Sequence, residues 1–359
     1  MEENFSFYNE TSNGSYNNIS AFQQYYYASS GNKAVGLFFQ KYVLPIIVFI
    51  GLVGNSLSSS TFLGKELRKI SSSVYVISVL FADTGVLSSL VFVWLEVLRI
   101  RINSEDGICQ FLVYWSYVCS FLSVWFVVCI TVENYITICH PTKIKTMCTL
   151  RRANIVTASL TVFAFTAYLP SIFSVEVVSV SVNGKHYRMC VPSPSNKNIV
   201  HFVAYADSVV TLIIPLVLIF FMLLAISLAI LRSMQQKRRR SVATNLNEKQ
   251  RFKNIPQLRV AKMLYVLSVT FFILNVPSHA TRIYILFGLS SSTWTGSEEQ
   301  AIIQLLLQFI YYTNFAIKFF LFVSCSKNFR KILVKQFCRK RQQYKSVNRS
   351  DTETKTTSL

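Results

Sequence analysis

Seven apolar stretches recur along this chain, each at least about 20 residues long and so able to cross a hydrocarbon core of about 30 Å as a helix. They run Tyr42–Leu63, Val74–Leu98, Gln110–Cys139, Asn154–Ser174, Val200–Leu231, Leu258–Phe287 and Gln300–Val323. A soluble helical array carries a polar stripe at helical period, and these stretches mostly lack one. With 52% hydrophobic residues over 359 positions and a mean hydropathy of +0.40, the composition fits repeated membrane spans and not a water-soluble domain. The sequence predicts an all-α membrane protein, a seven-transmembrane helix bundle.

Basic residues set the orientation. If the N-terminus lies outside, 27 of the 36 Lys and Arg residues fall on the cytoplasmic side, between spans one and two, three and four, five and six, and after Val323. Only seven fall outside, so the excess of positive charge inside fixes this topology. The net charge of +20 then faces anionic membrane lipid and cytoplasmic partners, and calls for no nucleic acid.

Asn4, Asn9, Asn13 and Asn18 each open an Asn-X-Ser/Thr sequon, which marks segment 1–41 as a glycosylated extracellular tail. Met1-Glu-Glu is acidic and no apolar run follows, so span one is expected to act as an uncleaved signal anchor. Of eight cysteines only Cys109 and Cys190 lie outside, where oxidising conditions favour a disulfide over two free thiols. Cys119, Cys129 and Cys139 recur every ten residues down span three and read as packing residues. Val175–Val191 alternates around Asn183-Gly184, a type I′ turn signal, and reads as an extracellular β-hairpin in the second outer loop. No nucleotide loop, metal cluster or catalytic triad stands out, so neither enzymatic chemistry nor a cofactor or metal is expected.

Five sets of residues, in order and spacing, resemble the rhodopsin-like (class A) G-protein-coupled receptors from about Pro45 to Cys338. They are Gly54-Asn55 in span one, Phe81-Ala82-Asp83 in span two, Glu133-Asn134-Tyr135 with His140-Pro141 ending span three, Pro215 and Pro277 in spans five and six, and Asn314-Phe-Ala-Ile-Lys-Phe-Phe-Leu-Phe322 in span seven. The outer hairpin is typical of that family's peptide-receptor branch, and the span-seven sequence is similar to invertebrate FMRFamide-type neuropeptide receptors. Ser116 stands where amine receptors of the family carry Asp, which argues against an amine ligand. The lysine that binds retinal in opsins would fall at Tyr312, so the lysine of span seven does not imply a photoreceptor.

Departures from the family pattern cluster at two places. The arginine that in the family moves on activation is Asn134 here, and its tyrosine partners in spans five and seven are Leu223 and Phe322. Asparagine has neither the reach nor the five-donor fork of a guanidinium. Family members also bind sodium between the span-two aspartate, a span-three serine and two polar residues of span seven. Asp83, Ser123 and Asn314 remain, but the next polar position is Lys318 and the proline after it is Phe319. A lysine inside a bundle needs a partner, and the resemblance offers Asp83, so the ammonium is expected to replace sodium. Snorkelling to the cytoplasmic face is the other course open to Lys318. In span six, Leu274-Asn275-Val276-Pro277 replaces the family's Cys-Trp-X-Pro, while Phe271 keeps its position. Asn275 either joins the core polar cluster or satisfies a carbonyl near Pro277.

By position, an outer ligand pocket would be lined by Trp94, Glu96, Ser116, Tyr117, Asp207, His279, Arg282, Gln304, Gln308 and Tyr311. Asp207 or Glu96 would receive a cationic ligand group and Arg282 an acidic or amidated end, or these charges pair among themselves. Past the 42–323 bundle, segment 324–338 sets Phe329, Ile332, Leu333 and Phe337 against Lys and Arg, a short amphipathic membrane-surface helix after span seven. Cys338 at its end is a candidate palmitoylation site. The cytoplasmic tail 339–359 holds Ser346, Ser350, Thr352, Thr354, Thr356, Thr357 and Ser358, candidate phosphorylation sites for arrestin. It ends in Thr357-Ser358-Leu359, a PDZ-type terminus.

These residues point to a plasma-membrane receptor with its N-terminus outside and C-terminus inside, taking an extracellular neuropeptide and signalling through a heterotrimeric G protein. The altered switch residues leave a second reading, a non-signalling or decoy-type peptide binder or a partner subunit of another receptor. A small transporter or channel would need repeated halves or a polar midplane path. Only Asp83, Asn275, Asn314 and Lys318 cluster there.

Overall fold

The computed structural model describes residues 33–98, 100, 102, 105–182, 185–239, 256–290 and 298–336. Asn4, Asn9, Asn13, Asn18, the Asn183-Gly184 turn, Cys338 and the 339–359 tail with Thr357–Leu359 lie outside them. Among the described residues, six helices are long and apolar enough to cross a membrane, and seven if one bent pair counts as a single span. These are span one (Val35–Phe62), span two (Ser71–Val97), span three (Ile108–Cys139), span four (Leu150–Ser174), span five (Lys197–Gln235), span six (Val260–Thr281) and the bent span seven (Ile302–Ala316 with Lys318–Cys325).

Span three, at 32 residues, runs through the middle of the bundle. Val118, Phe121, Leu122, Val124, Val127 and Ile130 are buried in one apolar cluster with residues of spans two, four, five and six. The opposite arrangement holds on spans four and five, where Phe163, Phe173, Phe202 and Phe221 are exposed. That is the expected distribution when the outer surface meets lipid, since only the inward faces need partners.

Small residues let span seven come close to its neighbours. A β-carbon on Gly51 would fall 2.5 Å from Leu87 Cδ1 and 3.0 Å from Ala316 Cβ, and one on Gly54 would fall 2.9 Å from Phe319 Cβ. Two further irregularities have local causes. In span five a π-helical segment, Ser208–Ile213, precedes Pro215, and the Trp125 indole N–H of span three donates to the Val210 carbonyl at 3.1 Å. In span six Pro277 lacks an N–H. Two residues earlier the Asn275 amide donates to the Phe271 carbonyl at 2.6 Å, a backbone partner on the preceding turn and not the Ile273 carbonyl that Pro277 leaves without a donor.

Span seven is not the continuous Gln300–Val323 helix that its hydropathy suggests. It bends by 55° between Ile302–Ala316 and Lys318–Cys325. Its sequence there has neither proline nor glycine. A side chain inserted into the helical ladder is another source of kinks. Lys318 Nζ donates to the Asn314 carbonyl at 3.0 Å, the same acceptor that the Lys318 N–H would use in an unbroken helix.

Strands β1 (Val175–Val182) and β2 (Lys185–Pro192) pair antiparallel, with Val177 opposite Cys190 and Val182 opposite Lys185. The Cys109–Cys190 disulfide ties β2 to the start of span three, with 5.8 Å between the α-carbons. Arg188 of β2 adds ion pairs to Glu105, at 2.9 Å, and to Asp106. At the other end of the bundle, after the Ser326 corner, a helix over 327–336 buries Phe329 and Ile332 while its lysines and arginine are exposed.

Candidate functional site

Three polar constellations stand out in an otherwise apolar bundle. At the level of the hairpin, the predicted pocket residues fall into two groups. His279 of span six is buried edge-on to Tyr311 of span seven, with ring centroids 5.6 Å apart. Tyr117 of span three stacks on Tyr168 of span four at 5.6 Å. Ser116, Gln304 and Gln308 are half-buried and Glu96 is exposed. The Trp94 indole reaches the Lys41 carbonyl at 3.3 Å. The Arg282 side chain lies outside the described residues.

Asp207 is 4% exposed, and its Oδ1 accepts from the Tyr168 hydroxyl at 2.8 Å and from Thr211 at 2.9 Å. Tyr168 and Thr211 lie 2.9 Å apart and close the triangle. Its carboxylate is therefore engaged within spans four and five. Tyr168 and Thr211 were not among the residues expected from sequence. The signal was available, because a carboxylate inside the bilayer requires donors and hydroxyls one turn away or on the next helix are the cheapest source.

The second constellation sits in the centre of the bundle. Lys318 Nζ lies 2.7 Å from Asp83 Oδ2, and the two side chains are 2% and 0% exposed. Ser123 donates to Asp83 Oδ1 at 2.6 Å. Asn314 joins through its backbone carbonyl, while its buried side-chain Nδ2 finds no hydrogen-bond partner among the described residues. The Lys318 ammonium also lies 5.9 Å from the Phe315 ring centroid. Above the bend, the Asn55 amide donates to the Phe315 carbonyl at 3.1 Å and ties span one to span seven. A charge pair this deep holds only if both ions keep further partners, and here each has at least one. Lys318 does not snorkel.

The third constellation closes the inner ends of spans two, three, five and six. Glu133 accepts from Ser71 at 3.1 Å and from Ser72, both in the first turn of span two. Asn134 is 1% exposed and faces the backbone of span six. With its amide oriented by these surroundings, it donates to the Ala261 carbonyl at 3.3 Å and accepts from the Tyr265 N–H at 2.8 Å. One turn outward, Thr131 and Ser268 share a hydrogen bond of 2.8 Å. The Tyr265 hydroxyl meets Ser227 of span five at 2.8 Å. Tyr135 reaches His140 at 3.3 Å, and Phe322, fully buried, packs on Phe62 with centroids 5.1 Å apart. Spans three and six are thus joined by uncharged hydrogen bonds that a longer, charged side chain at position 134 would disturb. Beside this site Cys148 is buried in the loop after span three, and burial, with the Glu133 carboxylate near it, pushes its thiol up to about 11.

Comparison with known proteins places this arrangement. A family model described as 7 transmembrane receptor (rhodopsin family) matches residues 54–347. The Neuromedin U receptor homolog nmur-2 of Caenorhabditis elegans is 24% identical over 258 residues, which cover 66% of this chain and 61% of that protein. The chain therefore spans less than two thirds of the length of this curated relative.

Proposed function

This chain belongs to the rhodopsin family of seven-transmembrane receptors, and from that premise we propose that it is a receptor for an extracellular neuropeptide that signals through a heterotrimeric G protein. It is a multi-pass plasma-membrane protein and not an enzyme. The single observation that carries the peptide reading is the β1–β2 hairpin, held to span three by Cys109–Cys190 and by Arg188. A paired hairpin offers backbone edges and a rigid rim to an extended peptide, and rigidity lowers the entropic cost of binding one. The neuromedin U receptor homolog at 24% identity favours the same class. Ser116, half-buried, supplies no carboxylate for an amine.

In this reading the N-terminus is outside, glycosylated at Asn4, Asn9, Asn13 and Asn18, and the tail bearing Cys338 and Thr357–Leu359 is inside, available to arrestin and a PDZ domain. His279, Tyr311, Gln304, Gln308, Ser116 and Tyr117 contact the peptide. Asp207 acts by holding span four to span five.

A second reading, a decoy-type binder, draws on the inner end, where Asn134, Leu223 and Phe322 replace the arginine and its two tyrosine partners. The first is preferred because Asn134, Thr131 and Ser268 supply a separable contact between spans three and six.

The peptide reading is tested with membranes from cells expressing the chain and a library of C-terminally amidated neuropeptides beside biogenic amines. Saturable displacement by at least one peptide, lost when His279 and Tyr311 are both changed to Ala, is the expected result. Displacement by amines alone would remove the peptide assignment.

A further inference from the structure

Between spans three, four and five lies a small cavity of about 90 Å³. Four aromatic rings stand in its wall. Phe121 of span three is 5.7 Å, centroid to centroid, from both the Phe163 and the Tyr168 ring of span four, and Phe202 of span five completes the set. Phe163 and Phe202 are exposed, so the cavity reaches the surface on a side given to lipid. Asp207 is the one charged residue among those that line it.

A carboxylate among aromatic rings matches an ammonium ion. The ring faces attract a cation, and the Tyr168 and Thr211 hydroxyls already hold the carboxylate in place. Little then has to be ordered on binding. Size narrows the ligand further. A cavity of about 150 Å³ holds a benzene ring. This smaller one admits an ammonium group and its first carbons, but not a fused ring system such as a sterol nucleus. The rest of the ligand lies outside, along Phe163 and Phe202, where lipid excludes polar groups. The headgroup of phosphatidylethanolamine fits poorly, because its phosphate follows closely on the ammonium and would be brought toward Asp207. Like charges repel strongly away from water.

We propose that this cleft binds a membrane-partitioned long-chain amine, its ammonium on Asp207 between the rings and its chain along the outer surface of spans four and five. His279 and Tyr311 are not among the residues that line the cavity, so this assignment stands or falls apart from the peptide reading.

The test uses the full-length protein purified in a nonionic detergent and titrated with tetradecylamine, tetradecanol or phosphatidylethanolamine, with retained ligand read by native mass spectrometry. The chain carries a net charge of +20, so non-specific attraction favours anions and retention of an amine reports a local site. The wild type is expected to retain tetradecylamine saturably and in preference to the other two. Asp207→Asn, which keeps an acceptor for Tyr168 and Thr211, should lower amine retention about 30-fold. Phe163→Ala, at an exposed ring, should lower it about three-fold. Ala206→Phe fills the cavity from its own wall while leaving Asp207, Tyr168 and Thr211 in place, and should reduce amine retention to the level of tetradecanol. Equal amine retention by the wild type, Asp207→Asn and Ala206→Phe would overturn the proposal. So would retention of tetradecanol as strong as that of the amine, which would mean that the apolar chain alone governs binding. A third contrary result is preferential retention of phosphatidylethanolamine at equal concentration, which would make the cleft a headgroup site.

Discussion

Lys318→Ala is expected to remove most of the protein from the cell surface, by leaving Asp83 charged and alone in the middle of the bundle. Asp83 is 0% exposed, and the ammonium 2.7 Å away is the cation on it. Removing one member of a buried ion pair costs about 3–5 kcal/mol because the other charge is left uncompensated. Ser123 would still donate to Asp83, but one neutral hydroxyl does not replace a cation. The same change also releases the Asn314 carbonyl that Lys318 now occupies at the 55° bend. Span seven is therefore expected to straighten toward a regular helix and to press on Gly51 and Gly54, where there is no room to give. Surface labelling and thermal unfolding of detergent-solubilised protein read the loss. Asp83→Asn/Lys318→Met, which removes both charges, should recover much of the stability, as uncharged replacements of buried pairs often do. With the ammonium seated against Asp83, exchanging sodium for choline should leave ligand binding of the wild type unchanged. Strong sodium inhibition of that binding would show that the cation position is open.

Cys109→Ser should cost ligand binding far more than it costs membrane insertion. The bridge closes a loop of 81 residues, and in a soluble chain constraining such a loop is worth roughly 4 kcal/mol. Here spans three, four and five are already fixed by the bilayer, so the constraint is felt mainly by the hairpin. Among the described residues, Arg188 of β2 still pairs with Glu105 and Asp106 in the turn before span three, and these side chains are 41%, 58% and 72% exposed. Exposed pairs of this kind contribute at most about 1 kcal/mol. Hydrogen exchange over residues 175–192 should quicken, and peptide affinity should fall by about ten-fold or more as the rim loses its preorganisation. Unchanged exchange and affinity in Cys109→Ser would show that strand pairing alone holds the hairpin in place.

Both expectations draw on features of unequal visibility in the sequence. Hydropathy marked the spans, with ends within four residues on spans two to five and off by up to seven on spans one and six, because a lipid-facing helix must be apolar along its whole length. Alternation around residues 183–184 marked the hairpin, and compartment marked Cys109 with Cys190. The bend in span seven was not legible, since it arises from a lysine side chain taking a backbone carbonyl and not from proline or glycine. Asp83 and Lys318 could be paired only through a family resemblance that aligned spans two and seven. At Asn314 the resemblance named the residue but not the atom, which is the backbone carbonyl. Tyr168 with Asp207, and Asn134 with the span-six backbone, are contacts between helices distant in sequence. Periodicity along one helix says which face is buried but not which atom it meets.

The proposed G-protein signalling requires spans three and six to part without the family's arginine, at the contact that Asn134 makes with span six. The most direct measurement is nucleotide exchange on a panel of G proteins in cells expressing the chain, challenged with the amidated-peptide library, with arrestin recruitment recorded in parallel and Asn134→Arg run beside the wild type. Ligand-dependent exchange in the wild type is the predicted result. Peptide-driven arrestin recruitment or uptake without exchange, with exchange appearing only in Asn134→Arg, would contradict it and make the protein a decoy-type binder.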